Sequence, residues 1–363
     1  MRTSRFTMFA LLIALSLFSV SNALAKTWKM QISTGFSSTS HFGKQVRYYF
    51  DNVAANSGGR IEVQYHYGGS LSKIGEELNA LKTGAIDGFI GAAPYYSAQV
   101  PLTDAFSMTF ITSATDAAMK ANMDVYDNYA PLRDQWEKEN NTKVMFWPPV
   151  TNNTLWSTFP VPNIEALKGK KVRAQGRTGD AITKLGGVPV GLKWGDIYTS
   201  AQRGIISAAY STPLPLAWDA KFYEVMPYVT QTWGGVFGSM VVGVRNDLFQ
   251  EFPADLQKLF IDWARKAEVE SLKIVTEMSR TAVDDLVKRG KSITIWSEED
   301  RSTAKSLVQP TQFNSWVEKM KEKGMGEEAQ MAKDMYLEAI KKYEPLSDYE
   351  TAFDYWKKTY GQK

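Results

Sequence analysis

The segment NIEALKGKKVRAQGRTGDAITKLGGVPVGLKWGDIYTSAQRGIISAAY, residues 163–210, places one arginine, Arg173, in an otherwise apolar strand pattern ahead of two helix patterns. An arginine so placed can hold an anion without reacting with it: its planar fork grips a carboxylate or sulfonate with two parallel bonds, and the backbone of 176–179 can add donors at a helix start. The plainer alternative is a strand-end arginine in a surface ion pair, worth about 0 to 1 kcal/mol. The second half of the segment, GDIYTSAQRGIISA at 195–208, echoes GEELNALKTGAIDG at 75–88, with both glycines in register at a constant offset of 120 residues. A helix-glycine-strand unit used twice predicts a two-lobed chain.

The length agrees with that expectation, since 363 residues exceed the usual single domain, and a hydrophobic fraction of 44% suffices for real cores. The N-terminus has the charged, apolar and small-residue order of a secretory signal peptide: Met1 to Arg5, an apolar run over 6–20, then Ala23-Leu24-Ala25, with cleavage expected after Ala25. No later segment approaches the roughly 18 consecutive apolar residues of a membrane span. An exported, soluble mature protein is expected. Without Arg2 and Arg5 the formal net charge of +3 falls to about +1, with both signs interspersed, so no broad basic face for nucleic acid or membrane is implied. The absence of cysteine excludes disulfides, thiolate metal sites and thiol nucleophiles. With His41 and His66 as the two histidines, a multi-histidine metal centre is disfavoured. No cofactor or metal is expected.

Strand and helix patterns alternate along the chain, which predicts an α/β fold. WKMQIS at 28–33 reads as a strand, Ser40 or Thr39 caps a helix through Val53, and RIEVQYHY at 60–67 alternates again. A helical pattern after Gly75 closes at Gly84 and leads to a strand over 85–92. Residues 113–139 read as helical, 143–147 as a strand, and Pro148-Pro149 mark a first domain crossing. A strand over 172–175 and a helix over 178–185 follow, and VFGSMVVGV at 236–244 carries the chain back, with a second crossing near Gly238. The helix opening at Pro253-Ala254 runs to about Lys288, long enough to brace both lobes. A strand over 292–295 precedes charged helices around 298–322, 326–342 and 347–360, which are read as solvated surface in a monomer. The expected division is a signal peptide at 1–25, lobe I at 26–149 and 239–278, and lobe II at 150–238 and 279–363 with the C-terminal helices.

Aromatic residues make up 13% of the chain, and several fall at predicted strand ends or loops: Phe36, Tyr95, Tyr96, Trp147, Trp156, Trp194, Tyr210 and Trp233. As a group they favour an apolar-walled pocket between lobes. His41 follows the Ser/Thr-rich turn after the first strand, where α/β folds place ligand groups; its plainer reading is a neutral, surface-exposed histidine at a helix start. His66 reads as structural, and Asp87 and Asp196 as turn or helix-start residues. No nucleophile elbow, phosphate-binding glycine loop or zinc-protease motif is present, so binding is favoured over catalysis.

Taken together, the blocks GGSLSKIGEELNALKTGAIDG, NIEALKGKKVRAQ, WGDIYTSAQRGI, KFYEVMPYV and FPADLQKLF resemble the solute-binding proteins of the TRAP (tripartite ATP-independent periplasmic) transporters, the dicarboxylate-binding family, across the whole mature chain. The resemblance implies a periplasmic receptor of two α/β lobes closing on a solute, three interlobe segments and a long helix across both. It also implies that Arg173 salt-bridges the ligand carboxylate and that Trp194 lines the pocket, with a large and a small membrane subunit of the permease as partners. This sequence departs from the family where an acidic Asp-Gly-x-Glu motif commonly stands, here Ser207-Ala208-Ala209-Tyr210, and where a pocket asparagine often follows, here Ser211. The second arginine of sialic-acid binders is here Phe159. These losses argue against a sialic acid and weaken the case for a C4-dicarboxylate. The expected solute is a monocarboxylate with an apolar or aromatic body, or a small sulfonate, held by Arg173 with Trp194, Tyr210, Ser211, Trp233, Trp156, Tyr95, Phe36 and His41. An exported lyase or isomerase using His41, and a sensing subunit for a membrane kinase, stay open as alternatives.

Overall fold

The computed structural model describes residues 26–174, 176–236 and 238–361, so the expected signal peptide and its cleavage site lie outside the described residues. The alternating first segment forms β1 (Trp28–Ser33), which buries Met30 and Ile32. Ser40 then caps the helix His41–Asn56, its hydroxyl accepting from the Gly43 N–H at 3.1 Å. β2 (Ile61–His66) and β3 (Gly88–Ala92) flank β1 in parallel. The expected single helix over 113–139 is two, Thr115–Asn128 and Ala130–Glu137, because Tyr129 is extended and Pro131 starts the second. β4 (Thr142–Phe146) ends this unit.

From there the chain passes into a second sheet through the segment that carries Pro148-Pro149. It lays down β5 (Asn153–Ser157), β6 (Lys171–Arg173), β7 (Val188–Val190), β8 (Ala208–Pro213) and β9 (Tyr228–Gln231). It then returns to insert β10 (Met240–Arg245) antiparallel between β3 and β4. The helix Ala254–Lys288 crosses a third time and delivers β11 (Ser292–Ile295) to the edge beside β9. The two sheets have strand orders β2-β1-β3-β10-β4 and β11-β9-β5-β8-β6-β7.

The sequence echo is a structural one. Helices Glu77–Lys82 and Ile197–Gln202 occupy corresponding positions, and each ends at a left-handed glycine, Gly84 at φ 71° and Gly204 at φ 69°. The chain then turns back identically: Ala85 N–H bonds to the Ala80 carbonyl, and Ile205 N–H to that of Ser200, both at 2.9 Å. A side chain at either glycine would meet the left-handed penalty that glycine avoids. β3 and β8 follow, and the segments leaving these two strands supply opposite sides of the cleft.

Both faces of the second sheet are buried. Neighbours Leu155 and Trp156, and likewise Ala208 and Ala209, enter different cores, as the alternation of a strand requires. The long helix, about 52 Å by its rise per residue, contributes Leu256, Phe260, Ala264 and Ala267 to the first core and Ala282, Val283 and Leu286 to one of the second.

Two of the three C-terminal helices correct the expectation that they belong to lobe II as solvated surface, whereas the last, Ala352–Tyr360, does pack on a core of the second sheet through Ala352 and Phe353. In Glu298–Glu322, Ala304 and Val308 join a core of the second sheet, whereas Phe313, Trp316, Val317 and Met320 join the core of the first. Helix Gly326–Tyr343 lies against Thr115–Asn128 of the first unit and buries Ala329, Ala332, Tyr336, Ala339 and Ile340. Three alanines on that stripe allow close approach, and its charged face is turned outward. Gln312 fastens the junction by receiving the Thr109 N–H at 2.9 Å and donating to the Thr109 carbonyl at 2.6 Å.

Candidate functional site

Arg173 ends β6, the residue after Val172, which enters the core, so alternation turns the arginine to the other side. Its neighbour β8 carries a bulge: Thr154 pairs with Thr212 and Trp156 with Ala209, leaving two residues opposite one. Ser211, in that bulge, has a left-handed φ of 62°, which turns the successive carbonyls of Tyr210 and Ser211 toward one guanidinium nitrogen. Nη1 of Arg173 donates to these at 3.3 and 3.4 Å, Nε donates to the Leu192 carbonyl at 3.1 Å, and Nη2 donates to the Tyr95 hydroxyl at 3.1 Å. The side chain is 2% exposed. Every acceptor it meets among the described residues is neutral. Burial lowers its pKa and Tyr95 opposes that, yet a guanidinium remains charged. A desolvated cation with only neutral partners is under-compensated, which is the electrostatic condition for holding an anion.

The Tyr95 hydroxyl reaches across from the first unit, where Ala93–Tyr96 forms a short 3₁₀ helix after β3. It accepts a second bond, at 3.1 Å, from the backbone N–H of Trp194. Two donors from the second unit therefore converge on one oxygen of the first. Burial raises the phenol pKa, so this oxygen carries its proton at neutral pH.

Beside this junction lies a cavity of about 90 Å³ lined by Phe36, Phe42, Tyr95, Trp194, Arg173 and Ser211, with further residues from both units. Trp194 stacks on Phe222 at 5.1 Å, and Phe36 packs on Phe42 at 5.0 Å, which fixes the apolar walls. Ser211 and Thr178 share a hydroxyl contact of 2.6 Å at the rim of Arg173. The two units also touch where Asp219 accepts from Ser37 at 2.7 Å and from Thr39 at 2.9 Å.

Of the expected site residues, Arg173, Trp194, Ser211, Tyr95 and Phe36 meet at this cavity, and four do not line it. Trp156 lies on the Arg173 side of the sheet, paired with Ala209, but is fully buried in the core there, its indole N–H bonded to Thr154 at 2.8 Å. Tyr210 offers its backbone carbonyl, while its ring is buried and its hydroxyl receives that of Thr232 at 3.2 Å. Trp233 packs on a core with its N–H on the Trp296 carbonyl at 3.3 Å, and Arg301 lies over its ring at 5.3 Å. His41 is not the exposed helix-start residue of the plainer reading either. It is fully buried behind Phe42 with ring centroids 3.9 Å apart, and burial pushes its pKa down to about 3, so it is neutral.

The sequence reading missed Phe42, Asp104, Ser107, Arg177 and Ser239, all of which line the cavity. Arg177 stands four residues after Arg173, and that spacing is the one signal that pointed to it. Its Nε lies 3.8 Å from Asp104 across the cleft. Burial raises the Asp104 pKa, opposed by the Ser97 hydroxyl bond and by the Arg177 charge.

A buried cation with neutral acceptors at an interface of two α/β units points to a binding protein, and comparison with known proteins agrees. The family described as "Bacterial extracellular solute-binding protein, family 7" matches residues 32–319. The chain belongs to this family. As a family 7 protein it shares its fold with a TRAP solute-binding protein from Rhodoferax ferrireducens in complex with copurified benzoate, at TM-score 0.79 and 17% identity, covering 88% of this chain and 99% of that one. A TRAP periplasmic solute-binding protein from Desulfovibrio salexigens with bound orotic acid is also similar, at TM-score 0.76 and 17% identity, covering 86% and 100%. The 2,3-diketo-L-gulonate-binding periplasmic protein of Escherichia coli is 21% identical over 289 residues, 78% of this chain and 86% of that protein. The resemblance to TRAP solute-binding proteins and the two-lobed fold read from the sequence therefore hold. No helix among the described residues is long and apolar enough to cross a membrane, and no group of three or more His, Asp or Glu among them could hold a metal ion.

Proposed function

We propose that this family 7 protein is a periplasmic receptor that binds a small organic monocarboxylate through Arg173 and delivers it to the large and small membrane subunits of a TRAP permease. The observation that carries the reading is the buried guanidinium whose acceptors among the described residues are all neutral, with its Nη2 and the Trp194 N–H converging on one oxygen. A carboxylate oxygen of the solute would take the place of the Tyr95 hydroxyl there, adding charge to bonds that are now neutral at the acceptor. The stacked Trp194 and the Phe36–Phe42 pair suit an apolar or unsaturated body. Relatives whose bound molecules are benzoate and orotic acid are compatible with a compact acid at this position.

On this reading the two units, joined by three crossings, move apart to admit the solute and close upon it. The cavity of about 90 Å³ is smaller than the roughly 150 Å³ void that admits benzene, so even a ring-sized acid requires the walls to part.

The test is thermal-shift screening of the purified mature protein against aliphatic and aromatic monocarboxylates, hydroxy acids, dicarboxylates, uronates, sulfonates and amines. A ligand at about 100 times its dissociation constant adds roughly 2.7 kcal/mol, a readable rise in melting temperature. Rises confined to carboxylates are expected; rises only with amines or uncharged compounds refute the proposal.

A further inference from the structure

We propose that Asp104, Ser107 and Arg177 form a second subsite in the same cavity, one that takes a hydroxyl group on the body of the solute, so that the preferred ligand is a hydroxylated monocarboxylate. The inference rests on the reading of Arg173 as the carboxylate anchor.

Asp104 and Ser107 belong to the 3₁₀ helix Pro101–Ser107, and residues three apart eclipse one another in that geometry. Both therefore face the cavity from the first unit, and both are more than nine-tenths buried. Arg177 meets them from the second unit, with Nε 3.8 Å from Asp104 and Nη1 3.6 Å from Asp180. Those are ion-pair separations longer than hydrogen bonds, which leaves the guanidinium donors able to serve a ligand oxygen.

The Ser107 hydroxyl is 4% exposed as a residue and has no hydrogen-bond partner among the described residues, although it lines the cavity; the Ser239 hydroxyl, at 2%, is in the same condition. Two buried hydroxyls without partners among the described residues, both on the wall of one pocket, are placed to meet a polar group of the ligand.

The donor and acceptor set selects among solutes. Asp104 accepts, Arg177 donates and Ser107 does either, so a solute hydroxyl, which also does both, fits the set. A second carboxylate would stand beside the charge of Asp104, and Arg177 is already shared between two acids. A plain hydrocarbon end would leave Ser107 unpaired.

The test is titration calorimetry with two matched sets: butyrate, γ-hydroxybutyrate and succinate; benzoate, meta-hydroxybenzoate and isophthalate. In the wild type, the hydroxy acid of at least one set should bind about tenfold to a hundredfold more tightly than its parent, the range of a hydrogen bond to a charged group, with the dicarboxylate no better than the parent. The ratio of hydroxy acid to parent should fall to within about threefold in both Ser107→Ala and the isosteric Asp104→Asn, whose folding is checked by the ligand-free melting temperature. A ratio near one in the wild type, a ratio that survives both substitutions, or a preference for the dicarboxylate overturns the proposal. Arg173→Ala separates the two readings. If every acid loses affinity there while the hydroxyl ratio is flat in the wild type, the subsite fails alone. If Arg173→Ala binds as the wild type does, or none of the six acids binds the wild type, the anchor fails and the subsite with it.

Discussion

The two walls of the cleft are built from different backbone and carry different electrostatics. On one, Arg173 ends a strand beside a bulge and Trp194 opens a short 3₁₀ helix, and they present a cation and a backbone N–H whose acceptors among the described residues are neutral. On the other, two 3₁₀ helices after β3 present a phenol, a serine hydroxyl and a buried carboxylate. Where Arg173 and Trp194 meet Tyr95, donors of one wall face an oxygen of the other, and at Asp219 the sense is reversed, with Ser37 and Thr39 donating. The contrast teaches that the cleft is not a blank: on the proposed reading, the Tyr95 oxygen of one wall stands where a solute oxygen would bind the other.

The largest effect expected is on the donor wall. Arg173→Ala should weaken binding of the carboxylate ligand by roughly 3 to 5 kcal/mol, the cost of breaking a buried ion pair, or about a hundredfold to a few thousandfold in dissociation constant. Calorimetric titration reads it directly, and a change of only a few-fold would break the contrast between the walls.

Behind the oxygen wall, His41 sets the next effect, on stability. Its pKa is pushed from 6.5 to about 3 by burial, so between these values the unfolded chain holds a proton that the folded one refuses. Stability is then fully present above pH 6.5 and lost as the pH falls toward 3, by up to roughly 4 kcal/mol. Glu77 and Glu268 act in the opposite sense. Burial raises each to about 7, so the folded chain holds protons that the unfolded one releases, and their contribution grows as the pH falls from 7 toward 4.5. Replacing His41 by Phe should therefore remove the acid loss and leave the carboxyl gain: melting temperatures of the variant should fall less than those of the wild type between pH 6.5 and 4. Parallel melting curves for the two proteins would show that His41 is not neutral in the fold.

The smallest effect carries the sharpest sign. If the Tyr95 oxygen holds the place of a solute oxygen, Tyr95→Phe removes a competitor, and a carboxylate should bind more tightly by about 0.5 to 1.5 kcal/mol, or twofold to tenfold. Weaker binding in that variant would mean that the phenol contacts the solute itself and that the two walls share the work of holding it.

Much of this arrangement was legible in the chain because local chemistry wrote it. The repeated glycines at 84 and 204 need left-handed backbone, and the offset of 120 residues exposed them. Arg173 was visible because a guanidinium in an apolar strand is costly without a purpose. Tyr210 was misplaced for an equally physical reason. In a sheet buried on both faces, alternation says that neighbours diverge but not which of them meets the cleft. The contact between Asp104 and Arg177 left no mark because they are 73 residues apart and meet only after two sheets have formed and docked. The helix Gly326–Tyr343 was misassigned since a stripe of alanine and tyrosine states that a helix packs, not against which neighbour.

One consequence concerns inheritance. The polypeptide passes between the two sheets three times, so each sheet is encoded by interrupted stretches of the gene, and strand β10, at the heart of the first, comes from beyond all but one of the strands of the second. A single recombination point cannot transplant one wall of the cleft whole into another member of the lineage. New solute preferences in such a protein must accumulate by substitution inside both walls, with each altered donor answered by an altered acceptor from a distant codon.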